Sequence, residues 1–202
     1  VKIDLRQVSK SFGGRQVLDG LDLAIYEGES VVILGGSGSG KSVLLKHMIG
    51  LLAPDSGSVV VDGVDIQSLD GRAITDFRRR FGMAFQEGAL FDSMTVADNV
   101  GFALRRAGRP QAEIAARVAE CLEMVHLEGA EKKMPAELSG GMRRRVGFAR
   151  AIALEPKILL FDEPTTGLDP VMKAVIDQLI LELQAKLGST AVSITHDMDS
   201  AF

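Results

Sequence analysis

Apolar and polar positions alternate at Val1, Ile3 and Leu5, and again at Leu21, Leu23 and Ile25, with the turn Gly13-Gly14 between them. This period of two predicts two antiparallel strands, half-buried, lying over a third strand. That third strand is the unbroken apolar run Val31-Val32-Ile33-Leu34. Beyond residue 42 the period changes. Val43, Leu44, Leu45, Met48 and Ile49 share helical spacing, and Gly50 lies at the expected end. Pro54-Asp55-Ser56-Gly57 reads as a turn, and Val59-Val60-Val61 as a short strand closed by Asp62-Gly63. From about residue 90 to 155 the pattern is helical. Pro110 opens a stripe at Ile114, Val118, Leu122 and Val125, Gly140-Gly141 interrupts, and a second helix is expected from about Met142 to Leu154. Ile158-Leu159-Leu160-Phe161 restores a buried-strand pattern; a helix over Met172–Leu187 and a strand over Ala191–Thr195 follow. The expected organisation is one domain over 1–202, with a core from 1–89 and 156–202 and a helical subdomain at 90–155. No internal repeat is visible.

Bulk properties narrow this little. A hydrophobic share of 46% and a charged share of 25% exclude a disordered chain. A net charge of -4 gives no support to nucleic acid as a partner. Arg78-Arg79-Arg80 and Arg143-Arg144-Arg145 read as solvated helix faces or as local contacts to phosphate or a partner. The single cysteine, Cys121, leaves no intrachain disulfide and no cysteine-based metal site. No apolar run approaches the ~18 residues of a membrane span. His47 and His126 lie in helical patterns and read as structural.

The chemistry gathers at a few positions. Gly35-Gly36-Ser37-Gly38-Ser39-Gly40-Lys41-Ser42 follows directly on the third strand and opens the first helix. This is G-x-x-x-x-G-K-[ST] in the strand-to-helix context it requires. Glycines let several backbone N–H groups point into one concavity, and the helix adds the positive end of its dipole. Lys41 can reach terminal phosphates and the Ser42 hydroxyl can ligate Mg²⁺. A glycine-rich turn without a ligand is the bland alternative.

Ile158–Phe161 runs into Asp162-Glu163. Ligands of open α/β sheets gather at the carboxyl ends of strands, so Asp162 is expected beside the phosphate loop as a magnesium residue. Glu163, one residue on, would accept a proton from an attacking water or orient it. Alone, such a run fits an acidic strand end on a solvated turn; with the phosphate loop the pair gains meaning. Leu138-Ser139-Gly140-Gly141-Met142 offers a second anion-binding helix start. Simple capping by Ser139 is the alternative, and spacing alone does not decide.

Taken in order, these motifs resemble the nucleotide-binding domain of ATP-binding-cassette (ABC) transporters. Gly35 to Ser42 resembles its Walker A motif, Gln86 its Q-loop glutamine, and Leu138 to Met142 its signature motif. Asp162-Glu163 resembles Walker B with the catalytic glutamate, Leu168-Asp169 the D-loop, and His196 the switch histidine. The resemblance implies an α/β P-loop NTPase with a RecA-like core, an N-terminal antiparallel β region and an inserted helical subdomain. It implies ATP and Mg²⁺ as ligands, with Phe12 stacked on adenine and residues Gly35 through Val43 around the phosphates. Lys41, Gln86, Glu163 and His196 would serve hydrolysis, and Ser42, Gln86 and Asp162 the metal. Two copies would pair head to tail, with Ser139, Gly140, Gly141 and Asp169 of one closing the site of the other. Permease subunits in the membrane would be partners, at the cytoplasmic face of the inner membrane, and the segment through Phe91 and Met94 the expected contact with them. A soluble cassette ATPase and a non-hydrolysing binding module are the competing classes. The first usually carries insertions or a second cassette, and intact Glu163 and His196 argue against the second.

Three stretches narrow the resemblance further: Gly40 through His47, Phe85 through Phe91, and Leu138 through Val146, with Val43 and Met142 where threonine and glutamine are commoner. They are similar to ATPases of the lipid-asymmetry and toluene-tolerance branch. That implies a phospholipid or other hydrophobic cargo and a mammalian-cell-entry-type lipid-binding protein as a further partner. Complete family domains continue past Phe202 with further strands and a helix, so a longer chain is expected.

Overall fold

The computed structural model describes residues 1–86 and 88–196. Glu87, beside the Q-loop position, and the end of the expected core segment, 197–202, lie outside the described residues.

Two four-stranded sheets organise the chain. The first is antiparallel. β1 (Ile3–Phe12) pairs with β2 (Arg15–Ile25) and β4 (Ser56–Val61), and β4 carries β5 (Val64–Asp65) on its other edge. The second is parallel, in the order β3-β8-β7-β6, from Ser30–Leu34, Thr190–Thr195, Ile158–Asp162 and Phe81–Ala84. The helices are α1 (Lys41–Met48), α2 (Gly71–Arg78), α3 (Val96–Arg106), α4 (Gln111–Met124), α5 (Gly140–Ile152) and α6 (Pro170–Leu187).

Alternation along the central strands divides the apolar residues into two cores. Ile158, Leu160, Val192 and Ile194 meet α1 and the inward side chains of the antiparallel sheet, among them Ile3, Leu5, Ile25, Val59 and Val61. Leu159, Phe161 and Ala191 face the other way, onto α3, α4, α5 and α6. A strand covered on both faces reads as a continuous apolar run, which is why β7 lacks alternation in the sequence. Phe148 and Phe161 meet edge-on with centroids 5.2 Å apart, joining α5 to β7.

Several sequence expectations shift. The helix expected from Met142 begins at Gly140: Ser139 caps it, so the two glycines form its first turn. Ser56 and Gly57, read as part of a turn, open β4. The stretch α2–β6 leaves little trace in the hydrophobic pattern because β6 spans four residues. Gly82 in it has no room for a side chain, since the Ala151 carbonyl occupies that space.

A second close approach ties α5 to the loop after β6. A methyl at Gly147 would sit 2.7 Å from the Gly88 Cα. Alanine favours helix by about 1 kcal/mol over glycine, but a backbone atom cannot rotate out of the way. Gly147→Ala should therefore lower stability by a net ~1–2 kcal/mol, read from the urea midpoint; an unchanged or raised midpoint would refute this contact.

Candidate functional site

Parallel pairing brings the ends of three strands to one rim. Leu34 at the end of β3 lies opposite Thr195, and Asp162 at the end of β7 lies opposite Ile194. β8 thus lies between the strand that leads into the glycine loop and the strand that ends in the acidic pair. Gly35 N–H continues the ladder to the Thr195 carbonyl at 3.3 Å. The chain then turns through Gly38 and Gly40, both at positive φ (79° and 95°), a region open to glycine. Gly40 caps α1, whose first two residues are Lys41 and Ser42.

The side chains converge on an open cleft of 680 Å³, walled by Ser37 through Val43, Gln86, Asp162, Glu163, Thr166 and His196. Lys41 Nζ donates to the Gly35 carbonyl at 2.7 Å and the Gly36 carbonyl at 3.0 Å, and lies 3.5 Å from Glu163 Oε1. Ser42 Oγ is 3.5 Å from Asp162 Oδ1. Hard oxygen donors that close suit a small divalent cation, whose place they would share.

Other expected site residues lie elsewhere. Ser139 Oγ accepts from the Met142 N–H at 3.2 Å, and Gly140 lines a separate 520 Å³ cleft together with Gln86, Thr166 and Leu168. Asp169 caps α6, its Oδ1 accepting from Val171 and Met172 N–H at 3.1 Å each. Phe12 stands 45% exposed at the end of β1, with Lys10 Nζ 5.7 Å from its ring centre. Phe12 does not line the phosphate-loop cleft, whereas Val17 on the facing strand does.

A family model described as ABC transporter matches residues 18–166. The chain belongs to the ABC transporter family. It is 46% identical, over all of its own length and 58% of the relative's, to the probable ribonucleotide transport ATP-binding protein mkl of Mycobacterium leprae. It is 47% identical to the methionine import ATP-binding protein MetN of Caulobacter vibrioides, over 98% of this chain and 60% of that one. The chain therefore spans less than two thirds of these curated relatives. Among solved structures, the ATP-binding cassette MJ0796, a dimer in a post-hydrolysis state bound to ADP and Pi, aligns with a TM-score of 0.88 at 37% identity, covering 98% of this chain and 90% of that one. The fold is that of an ABC cassette.

Within the cassette, Glu163 adopts positive φ (52°), unusual for a residue with a Cβ. Its Oε2 accepts from Thr166 Oγ1 at 2.8 Å, His196 Nδ1 at 2.8 Å and His196 N–H at 3.3 Å. Burial pushes the Glu163 carboxyl up, but these hydrogen bonds from Thr166 and His196 outweigh it and hold the group below the usual carboxylate range. Asp162 goes the other way, raised by burial and by the charge of Glu163, with Ser42 and Lys41 opposing.

Sequence reasoning passed over the residues that connect these parts. Arg144, one of three arginines expected on a solvated face or in a local contact, is 6% exposed. Its Nε donates to the Gln86 carbonyl at 2.7 Å and a terminal nitrogen to the Thr166 carbonyl at 2.8 Å. One and two turns on, Gly147 touches Gly88, and Arg150 donates to the Gly88 and Ala89 carbonyls at 2.8 and 2.7 Å. The spacing 144, 147, 150 marks one helix face and is the signal that could have found them. Asn99, fully buried, donates to the Phe91, Met94 and Thr95 carbonyls and accepts from the Phe91 N–H, fixing the segment that displays Phe91.

The raised Asp162 has a consequence for stability. Its ionised form is disfavoured in the fold relative to the unfolded chain. The penalty is present above its folded-state pKa and vanishes below the unfolded value. Asp162→Asn should raise the melting temperature of the nucleotide-free protein at about pH 8 and lose that advantage near pH 4. A stabilisation that stays constant across this range would exclude the carboxylate as its source.

Proposed function

We propose that this chain binds and hydrolyses Mg²⁺-ATP as the ATP-binding subunit of an ABC transporter, at sites completed by a second copy. The carrying observation is a division. Lys41, Ser42, Gln86, Asp162, Glu163 and His196 share one cleft, while the Ser139–Gly141 helix start lies outside it. Head-to-tail pairing would set the helix start of one copy against the phosphates held by the other. The dimeric arrangement of the similar cassette supports this reading.

In the cleft, Lys41 would exchange its two carbonyl partners for phosphate oxygens, and the loop N–H groups would hold the remainder. Ser42 and Asp162, with Gln86, would hold Mg²⁺, which neutralises charge between the phosphates. Glu163 would orient the attacking water. Its depressed pKa suits orienting and polarising more than outright proton removal. His196, bonded to Glu163 here, would turn to the terminal phosphate and restrain Glu163 less. Asp169 would serve the closed dimer from the end of α6, and Phe12 would stack on the adenine.

Among the described residues no helix is long and apolar enough to cross a membrane. The subunit would bind from the cytoplasmic face of the inner membrane to permease subunits, through the Asn99-braced segment displaying Phe91. For cargo, the three short stretches favour phospholipid or another hydrophobic molecule, with a mammalian-cell-entry-type protein in the assembly. The names of the mycobacterial and Caulobacter relatives favour a ribonucleotide or methionine instead.

Glu163→Gln should retain ATP binding, slow turnover by about 10²-fold or more and accumulate dimer on a sizing column, whereas Lys41→Ala should weaken nucleotide binding. Normal turnover in the first or normal affinity in the second would overturn the assignment. Mass spectrometry of complexes captured with the full-length protein from solubilised native membranes would test the cargo. A mammalian-cell-entry-type protein beside the permease supports lipid, and a solute-binding protein in its place removes it.

A further inference from the structure

The two oxygens of the Glu163 carboxylate have different neighbours. Oε1 lies on the phosphate-loop side, 3.5 Å from Lys41 Nζ. Oε2 takes three donors: the Thr166 hydroxyl and His196 Nδ1 at 2.8 Å each, and the His196 N–H at 3.3 Å. Under the function proposed above, Lys41 and the His196 ring both turn to phosphate once nucleotide is bound. That motion removes the bond from Nδ1. It leaves Oε2 with the Thr166 hydroxyl and the longer contact from the His196 N–H.

Thr166 is held in place independently of its hydroxyl. Its N–H closes a turn back to the Glu163 carbonyl at 3.4 Å, and Arg144 donates to its own carbonyl at 2.8 Å. The same guanidinium holds the Gln86 carbonyl. Gln86 and Thr166 line both the phosphate-loop cleft and the cleft beside the Ser139–Gly141 helix start. The branched Cβ of threonine restricts its rotamers, which limits where the hydroxyl can point. With the backbone fixed by other groups, the hydroxyl is left to serve Glu163.

We propose that Thr166 is a positioning residue for hydrolysis: its hydroxyl keeps Glu163 Oε2 anchored while His196 turns to the terminal phosphate, so that Oε1 is the oxygen presented to the attacking water. This rests on the reading of Glu163 as the group that orients that water. A hydroxyl donor also favours the ionised carboxylate, which accepts from water at both oxygens. Burial pushes the Glu163 carboxyl up, and Thr166 is the largest of the influences that hold it down.

Thr166→Val removes the hydroxyl and keeps the shape of the side chain. In the full-length protein it should lower kcat for Mg²⁺-ATP by about tenfold or more, with KM changed by less than about twofold. The ¹³C titration of the Glu163 carboxyl, read without nucleotide, should move to higher pH. Thr166→Ser should restore both. In a Glu163→Gln background the valine should add no further loss, because the hydroxyl acts through the carboxylate. An unchanged kcat in Thr166→Val would overturn the proposal, as would a loss without a shift in the titration, without rescue by serine, or persisting in the Glu163→Gln background. In each of these cases a slow Glu163→Gln enzyme keeps the assignment of Glu163 intact. Undiminished turnover in Glu163→Gln would instead remove that assignment and the proposal with it. Thr166→Ala, which also lacks the hydroxyl, carries the same expectations if the valine variant fails to fold.

Discussion

The insertion of β8 between β3 and β7 is the constraint on which the rest of the site depends. Its two parallel ladders set Leu34 against Thr195 and Asp162 against Ile194. The glycine loop, the acidic pair and His196 leave the sheet at the same level because of that register. A slip by one residue would turn every side chain of β8 to the opposite face. Val192 and Ile194 would leave the core shared with the antiparallel sheet, and Ala191 the core shared with the helices. Two apolar cores of different composition thus hold the register from both sides.

The second level of organisation is a set of arginines that donate to loop carbonyls. Arg144 joins the Gln86 loop to Thr166, Arg150 holds Gly88 and Ala89, and Arg145 reaches the Val125 and His126 carbonyls. Charged donors of this kind contribute roughly 1.5–3 kcal/mol each where water is excluded, more than exposed ion pairs such as Arg72–Asp76 do. Through Thr166, which hydrogen-bonds Glu163, α5 is mechanically joined to the cleft although its capping end lies outside it. A partner engaging Ser139–Gly141 would bear on Gln86 and Glu163 through this helix.

Much of the site was legible because its chemistry is local. The glycine loop declares itself within a few residues; the acidic strand end gains meaning beside it, His196 only from its place in the series, and the order of the motifs carries the family. Burial of β7 on both faces was legible as an unbroken apolar run. What escaped depends on distant parts of the chain. Arg144 looks like surface until the loop carbonyls it meets are in place. β6 is four residues long and is held by neighbours rather than by its own pattern. Ser139 reads equally well as a helix cap or as a ligand and Asp169 only as a D-loop residue, and within one chain both serve as caps. Capping takes up the Met142 N–H and does not use those of Gly140 and Gly141, so the two readings of this helix start are compatible.

The central claim is that each hydrolytic site takes its phosphate loop from one copy and its signature helix from another. The direct measurement is ATPase activity on mixing Lys41→Ala with Gly140→Asp, each inactive alone. Among the described residues nothing beyond its chain neighbours and its own helix backbone lies within 4 Å of a Cβ at Gly140, so the folded chain accepts the aspartate. Its charge suits a helix start but repels phosphate. A mixed dimer would combine one intact loop with one intact helix start, and the account predicts that mixing restores hydrolysis. A mixture as inactive as its components, with mixed dimers demonstrably formed, would contradict it.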